Sequence, residues 1–155
     1  MNRLFRILLI TTVSVLSFGA DPAQPFSLTV SARKPQIKAG SEVWITIRMT
    51  NTSDHDIDCS TYYVSGTDLR FHYIVRDSHG NSAKKKIAHP ELVPGSTQLC
   101  TLKPGESVTR ESRISWVHDL SQPDKYAIQV SRAASGNEQD QIVQSNVATI
   151  TVIPQ

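Results

Sequence analysis

The sequence predicts an all-β domain, a two-sheet antiparallel sandwich of about seven strands, and three observations carry that expectation. Segments of strand length alternate apolar and polar residues with a period of two. Turn residues recur roughly every 8 to 12 positions. No segment sustains the 3.6-residue period of an amphipathic helix over a helical length.

The most regular alternation puts Val43, Ile45, Ile47 and Met49 on one face and Glu42, Trp44, Thr46 and Arg48 on the other. Its β-branched residues suit a pleated, half-buried surface. Before it, Phe26, Leu28 and Val30 alternate with Ser27, Thr29 and Ser31 as a first strand, which Pro35 interrupts before Ala39-Gly40 turns the chain. After it comes a polar exit loop from Asn51 to Asp58. Gly66-Thr67-Asp68 then opens a strand with Leu69, Phe71, Tyr73 and Val75 on one face, closed by a hairpin-type turn over Asp77-Ser78-His79-Gly80-Asn81. Lys84 to Lys86, Pro90 and Pro94-Gly95 break any long ladder, so residues 82–100 are expected to be an edge strand and a long loop. Beyond the Pro104-Gly105 turn, a strand over 108–117 has Val108 and Ile114 as its core contributors. Gln122-Pro123-Asp124 turns the chain again, and Tyr126, Ile128 and Val130 alternate along the strand that follows. A polar hairpin loop over 133–140 leads to a closing strand over 143–153.

A tyrosine just after a tight turn, at the start of a late strand, marks the corner of immunoglobulin-like (fibronectin III-like) sandwiches, where its hydroxyl bonds back to the corner backbone. Tyr126, with Asp119 and Pro123 before it, is assigned that structural role.

The 155 residues suit one domain. Arg3 and Arg6 precede an apolar run from Ile7 to Leu16 and the small residues Ser17, Gly19 and Ala20, the pattern of a secretory signal peptide over residues 1–20. The run falls short of the roughly 18 to 20 apolar residues that span a bilayer. The expected mature chain, 21–155, is therefore a single domain, secreted or periplasmic, with no membrane span. The whole chain has 16 Lys and Arg against 14 Asp and Glu, and the leader holds two of the arginines, leaving the mature chain balanced. A nucleic-acid partner loses its compositional support. Cys59 and Cys100 are the two cysteines, and in an oxidising compartment they are expected to form a disulfide.

Candidate sites are sparse. Trp44 points away from its strand's apolar face, so it is either an exposed interface anchor or covered by residues 82–100 or an adjacent strand. Tyr62 and Tyr63 are placed at the rim of the same end. Lys84, Lys85 and Lys86 offer a partner patch or a charge run that guards an edge. Asp54, Asp56 and Asp58 alternate around His55, but the Gly and distal Glu of an EF-type calcium loop are missing, and no metal is expected. His118-Asp119 has no nucleophile elbow or Gly-rich oxyanion turn to serve, so no catalytic residue and no cofactor are assigned. Asn51-Thr52-Ser53 matches the glycosylation acceptor pattern.

The exit Asn51-Thr52-Ser53, Val75-Arg76-Asp77-Ser78-His79-Gly80-Asn81, Leu102-Lys103-Pro104-Gly105-Glu106 and the segment from Asp119 to Tyr126 together resemble small secreted bacterial immunoglobulin-like proteins of unassigned function. The chain is also similar to the accessory β-domain of lysine-specific and deuterolysin-like metallopeptidases, and distantly to a bacterial proteinase-inhibitor family. These motifs are turns and corners, which specify fold and leave function open. The metallopeptidase activity does not follow, because the chain has no His-Glu-x-x-His motif. The expected function is a non-enzymatic binding or scaffolding module that contacts an unidentified protein or envelope component. The alternative is a proteinase inhibitor that presents residues 89–100, with Pro90 and Pro94 reducing the ordering cost of binding.

Overall fold

In the computed structural model, which describes residues 24–87, 89–135 and 141–155, an all-β sandwich forms around one apolar core. The strands in chain order are β1 (Phe26–Ala32), β2 (Gln36–Lys38), β3 (Trp44–Asn51), β4 (Ile57–Asp58), β5 (Thr61–Val64), β6 (Thr67–Asp68) and β7 (His72–Arg76). They continue as β8 (Ser96–Gln98), β9 (Thr101–Leu102), β10 (Ser107–Arg113), β11 (Asp124–Ala133), β12 (Ile142–Gln144) and β13 (Ala148–Ile153). The expected leader over 1–20 and part of the expected 133–140 loop lie outside the described residues.

One sheet has the order β1-β3-β10, all antiparallel, with Val30 opposite Ile47 and Val108 opposite Met49. In the other, β11 is central. Its first half pairs with β13 and its last residues with β12, while β7 takes its opposite edge. The β2 strand closes this sheet by pairing in parallel with β13, so the chain passes from the first sheet (β1) to the second (β2) and back (β3). The inward faces of both sheets supply the core, with Phe26, Ile45, Ile47, Met49, Ile128, Val130 and Ile150 almost wholly buried.

At the outer edge of β1 a side chain stands in for a strand: Asn146 Oδ1 accepts from the Val30 N–H at 2.8 Å, and its Nδ2 donates to the Val30 carbonyl at 3.0 Å. Together with Ser145, whose hydroxyl accepts from the Val130 N–H, Asn146 sits where the expected continuous closing strand divides into β12 and β13.

Three other expectations are corrected. The strand expected from Leu69 begins at His72, because the Asp68 carboxylate accepts the N–H groups of Tyr62 and Arg70 and folds 68–70 into an Asx turn. The strand expected over 108–117 stops at Arg113 and continues as a 3-10 turn over Ile114–Trp116, which still delivers Ile114 to the core. Within 82–100 the expected edge strand is β8, which lies against β5 at the edge of a small three-stranded sheet, β6-β5-β8, whereas the expected long loop before it holds a 3-10 turn at Pro90–Leu92. Gly95 permits that approach, since a Cβ there would lie 2.5 Å from the Tyr63 carbonyl oxygen. The Cys59–Cys100 disulfide is formed, beside the short β4–β9 pairing.

Candidate binding face

The two tryptophans of the chain line adjoining grooves at one end of the sandwich. The Arg33 N–H donates to the Trp44 carbonyl, closing the neck of the excursion that carries β2 across to the second sheet. Within that excursion lies a groove of about 560 Å³, lined by Arg33, Lys34, β2, Ser41, Glu42, Val43 and Trp44. A second, smaller groove of about 210 Å³ shares Ser41 and Glu42 with the first and adds Lys86, Arg113 and Trp116.

Glu42 and Arg113 form the ridge between them. The Glu42 carboxylate accepts from Trp44 Nε1 at 3.0 Å and pairs with the Arg113 guanidinium, which also donates to the Ser65 carbonyl. The Trp44 hydrogen bond, and then Arg113, hold the Glu42 carboxyl below the usual range, so the ridge stays an ion pair at neutral pH. Trp44 itself is half-buried, the position left open in the sequence. Its cover is the adjacent strand β10 and the turn between β5 and β6: the Arg113 guanidinium sits 5.9 Å from the ring centroid, and the Gly66 backbone packs against the far end of the ring. Gly66 has φ +83, and a Cβ there would lie 2.9 Å from Trp44 Cη2.

The charges of the larger groove do not cancel. Arg33 pairs with Glu111 at 3.4 Å and Glu42 with Arg113, while among the described residues no acidic side chain pairs with Lys34 or Lys38.

The other expected site residues separate. Lys86 reaches this face, its ammonium donating to the Ser115 carbonyl at 3.0 Å. Lys84 and Lys86 are fixed by their backbone, which exchanges hydrogen bonds with Asp119 and Val117, and Lys85 bridges to His118. Tyr62 and Tyr63 belong to the small sheet: the Tyr62 hydroxyl donates to the Val93 carbonyl and that of Tyr63 to the Glu111 carbonyl. At the corner, the Tyr126 hydroxyl donates to the Gln122 carbonyl at 3.1 Å across Pro123, and Asp119 Oδ1 accepts from the Ser121 N–H.

The acidic cluster does not converge. Asp54 faces His55, whereas Asp58 takes Arg70 at 2.9 Å and the buried Arg132 at 3.1 Å. Burial pushes the Asp58 carboxyl up, but hydrogen bonds from Ser60 and the charge of Arg132 outweigh it and leave the group below its ordinary value. A grouping absent from the sequence reading is Asp77, His79 and Asp124, whose potential ligand atoms lie within 4.8 Å of one another. Both carboxylates already accept backbone N–H groups, Asp77 from His79 and Asn81 and Asp124 from Ser78 and Lys125, so the cluster works as a hydrogen-bonded corner.

His118 is buried against β7 and the 82–87 segment, with Nδ1 unpartnered. Burial holds its imidazole below 6.5, although hydrogen bonding to the backbone at Ala83 and Tyr73 pulls the other way; Lys85 and His72 add to the lowering. A folded-state value below the unfolded one means the neutral ring is favoured by folding. Its contribution is full above pH 6.5 and is lost as pH falls through 6.5 toward the depressed value. Thermal melts between pH 7.5 and 5 should show a smaller loss of stability for His118→Gln than for the wild type, and equal slopes would refute this assignment.

No protein-family model and no curated protein matches the chain. Among solved structures, it is similar to the C-terminal domain of wzt, with a TM-score of 0.50 and 8% identity over 86% of this chain and 76% of that one. It also aligns with the Pseudomonas fluorescens alkylpurine DNA glycosylase AlkC bound to DNA containing an abasic site analog, at TM-score 0.45 and 10% identity, over 85% of this chain and 31% of that one. A third is the β-glucosidase EmGH1 of Erythrobacter marinus, at TM-score 0.41 and 16% identity, over 83% of this chain and 15% of that one. The likeness to the wzt domain is one of fold alone.

Proposed function

We propose that this protein is a non-enzymatic binding module that acts through protein–protein contacts in the cell envelope or outside the cell. The observation that supports this reading is the convergence of both tryptophans on adjoining grooves around one ion-paired ridge, beside lysines that pair with no acidic side chain among the described residues. Tryptophan and arginine are the residues that dominate binding energy at protein interfaces. The leader-like N-terminal sequence and the disulfide agree with an extracytoplasmic address. The test is capture from the source organism's envelope and secreted fractions with immobilised chain from Asp21 onward, in parallel with a Lys34→Glu/Lys38→Glu variant of unchanged melting temperature. A protein retained by the wild type and lost by the variant is the expected result. Equal retention by both would overturn the assignment of this face.

A second reading, proteinase inhibition, is favoured by one specific feature. Leu99 is 89% exposed immediately before the disulfide-bonded Cys100, and Leu92 is 77% exposed on the same segment. Pairing of β8 with β5 holds the chain between them in an extended shape, which suits a protease cleft. An inhibitor of this kind lowers the activity of a leucine-preferring secreted protease at near-stoichiometric concentration and loses that effect in Leu99→Asp. Absence of inhibition across a panel of such proteases would exclude it.

A further inference from the structure

Among the described residues, the larger groove combines unpaired cations with an unpaired strand edge. None of its lining residues belongs to β13, although every residue of β2 lines it. The groove therefore lies on the side of β2 away from its partner strand. The backbone alternation agrees: the Pro35 carbonyl accepts from Thr151 and the Ala39 N–H donates to Ile153, so the odd-numbered residues face β13. With a period of two, the main-chain groups of Gln36 and the N–H of Lys38 point to the groove. The Lys38 carbonyl is taken by the turn to Ser41.

We propose that this groove takes an extended acidic peptide segment, which adds as a strand to the open edge of β2 and sets its carboxylates against Lys34 and Lys38. The inference rests on the binding-module reading above and names the chemistry of its partner. Strand addition provides affinity through main-chain hydrogen bonds, and alternate side chains provide selectivity. The positive sign is local, because the chain beyond the leader is balanced and the groove's own carboxylate is neutralised by Arg113. An anionic polysaccharide is the weaker fit. It has no main chain to match the β2 edge, and stacking on Trp44 would compete with a ring whose N–H holds Glu42 and one of whose faces carries Arg113.

The experiment is fluorescence anisotropy of a labelled peptide alternating Glu and Val, roughly ten residues long, titrated with the chain from Asp21 onward. Saturable binding is expected, with none for a Lys-Val peptide of the same length. Lys34→Glu/Lys38→Glu should weaken it roughly tenfold or more, and N-methylation at alternate peptide residues should abolish it. Equal binding of the N-methylated peptide would overturn strand addition. Binding of polygalacturonate in place of the peptide would overturn the partner class. Binding of neither would mean that the lysines serve only to keep a sheet edge solvated. Should a captured protein depend on the groove lysines while the acidic peptide fails to bind, this inference falls and the binding-module reading stands. Should the peptide bind while capture ignores the groove, strand addition at β2 stands and the captured protein belongs to another face.

Discussion

Replacing Asn51 with alanine is expected to destabilise the fold by about 2 to 4 kcal/mol, because it orphans several polar groups at once. Asn51 is 1% exposed, at the end of β3. Its Nδ2 donates to the carbonyls of His55 at 2.8 Å and Leu102 at 2.9 Å, and its Oδ1 accepts from the Ser53 N–H and hydroxyl. One amide thus ties the exit of β3 to the β9 strand. Alanine leaves the buried Leu102 carbonyl without that donor. Aspartate keeps the acceptor but sets a buried carboxylate oxygen against the Leu102 and His55 carbonyls, so Asn51→Asp should cost at least as much as alanine. Urea denaturation of the two variants checks this, and a loss under 1 kcal/mol in both would show that water replaces the amide. The same geometry bears on the glycosylation pattern at Asn51-Thr52-Ser53: in the folded chain the acceptor nitrogen is buried and doubly engaged.

Removing the disulfide is the second large effect. Cys59 and Cys100 are 41 residues apart, and closing a loop of that length is worth about 4 kcal/mol in the chain-entropy model. The bridge holds together elements too short to persist alone, since β4 and β9 contribute two residues each and β8 three. Cys59→Ser/Cys100→Ser should therefore lower the denaturation midpoint strongly and make the 89–102 segment the first site of limited proteolysis. Reductant should destabilise the wild type and leave the variant unaffected. A wild-type midpoint indifferent to reductant would overturn the stabilising role.

The sandwich was legible because its long strands announce themselves locally: Val43 to Met49 and Tyr126 to Val130 alternate in the sequence as they do in the core. What was not legible was set by single polar side chains acting over long range. Asp68 breaks a strand by gathering the N–H groups of Tyr62 and Arg70, and Asn146 serves a residue 116 positions earlier. The β2 strand is three residues between Pro35 and a turn, a length at which periodicity carries no signal. The candidate face was half visible. Trp44 stood out by facing the wrong way, but Trp116, Lys34 and Lys38 join it only through the sheet-switching path of β2 and the 3-10 turn after β10.

The Asn146 amide has a consequence for how these molecules behave in company. By occupying both the donor and the acceptor of Val30, it acts as a plug partway along β1 and shortens the run of that edge open to a second copy. Charged side chains, prolines and bulges are familiar ways of discouraging such stacking; here a neutral amide, which does not titrate, takes the two edge groups of Val30.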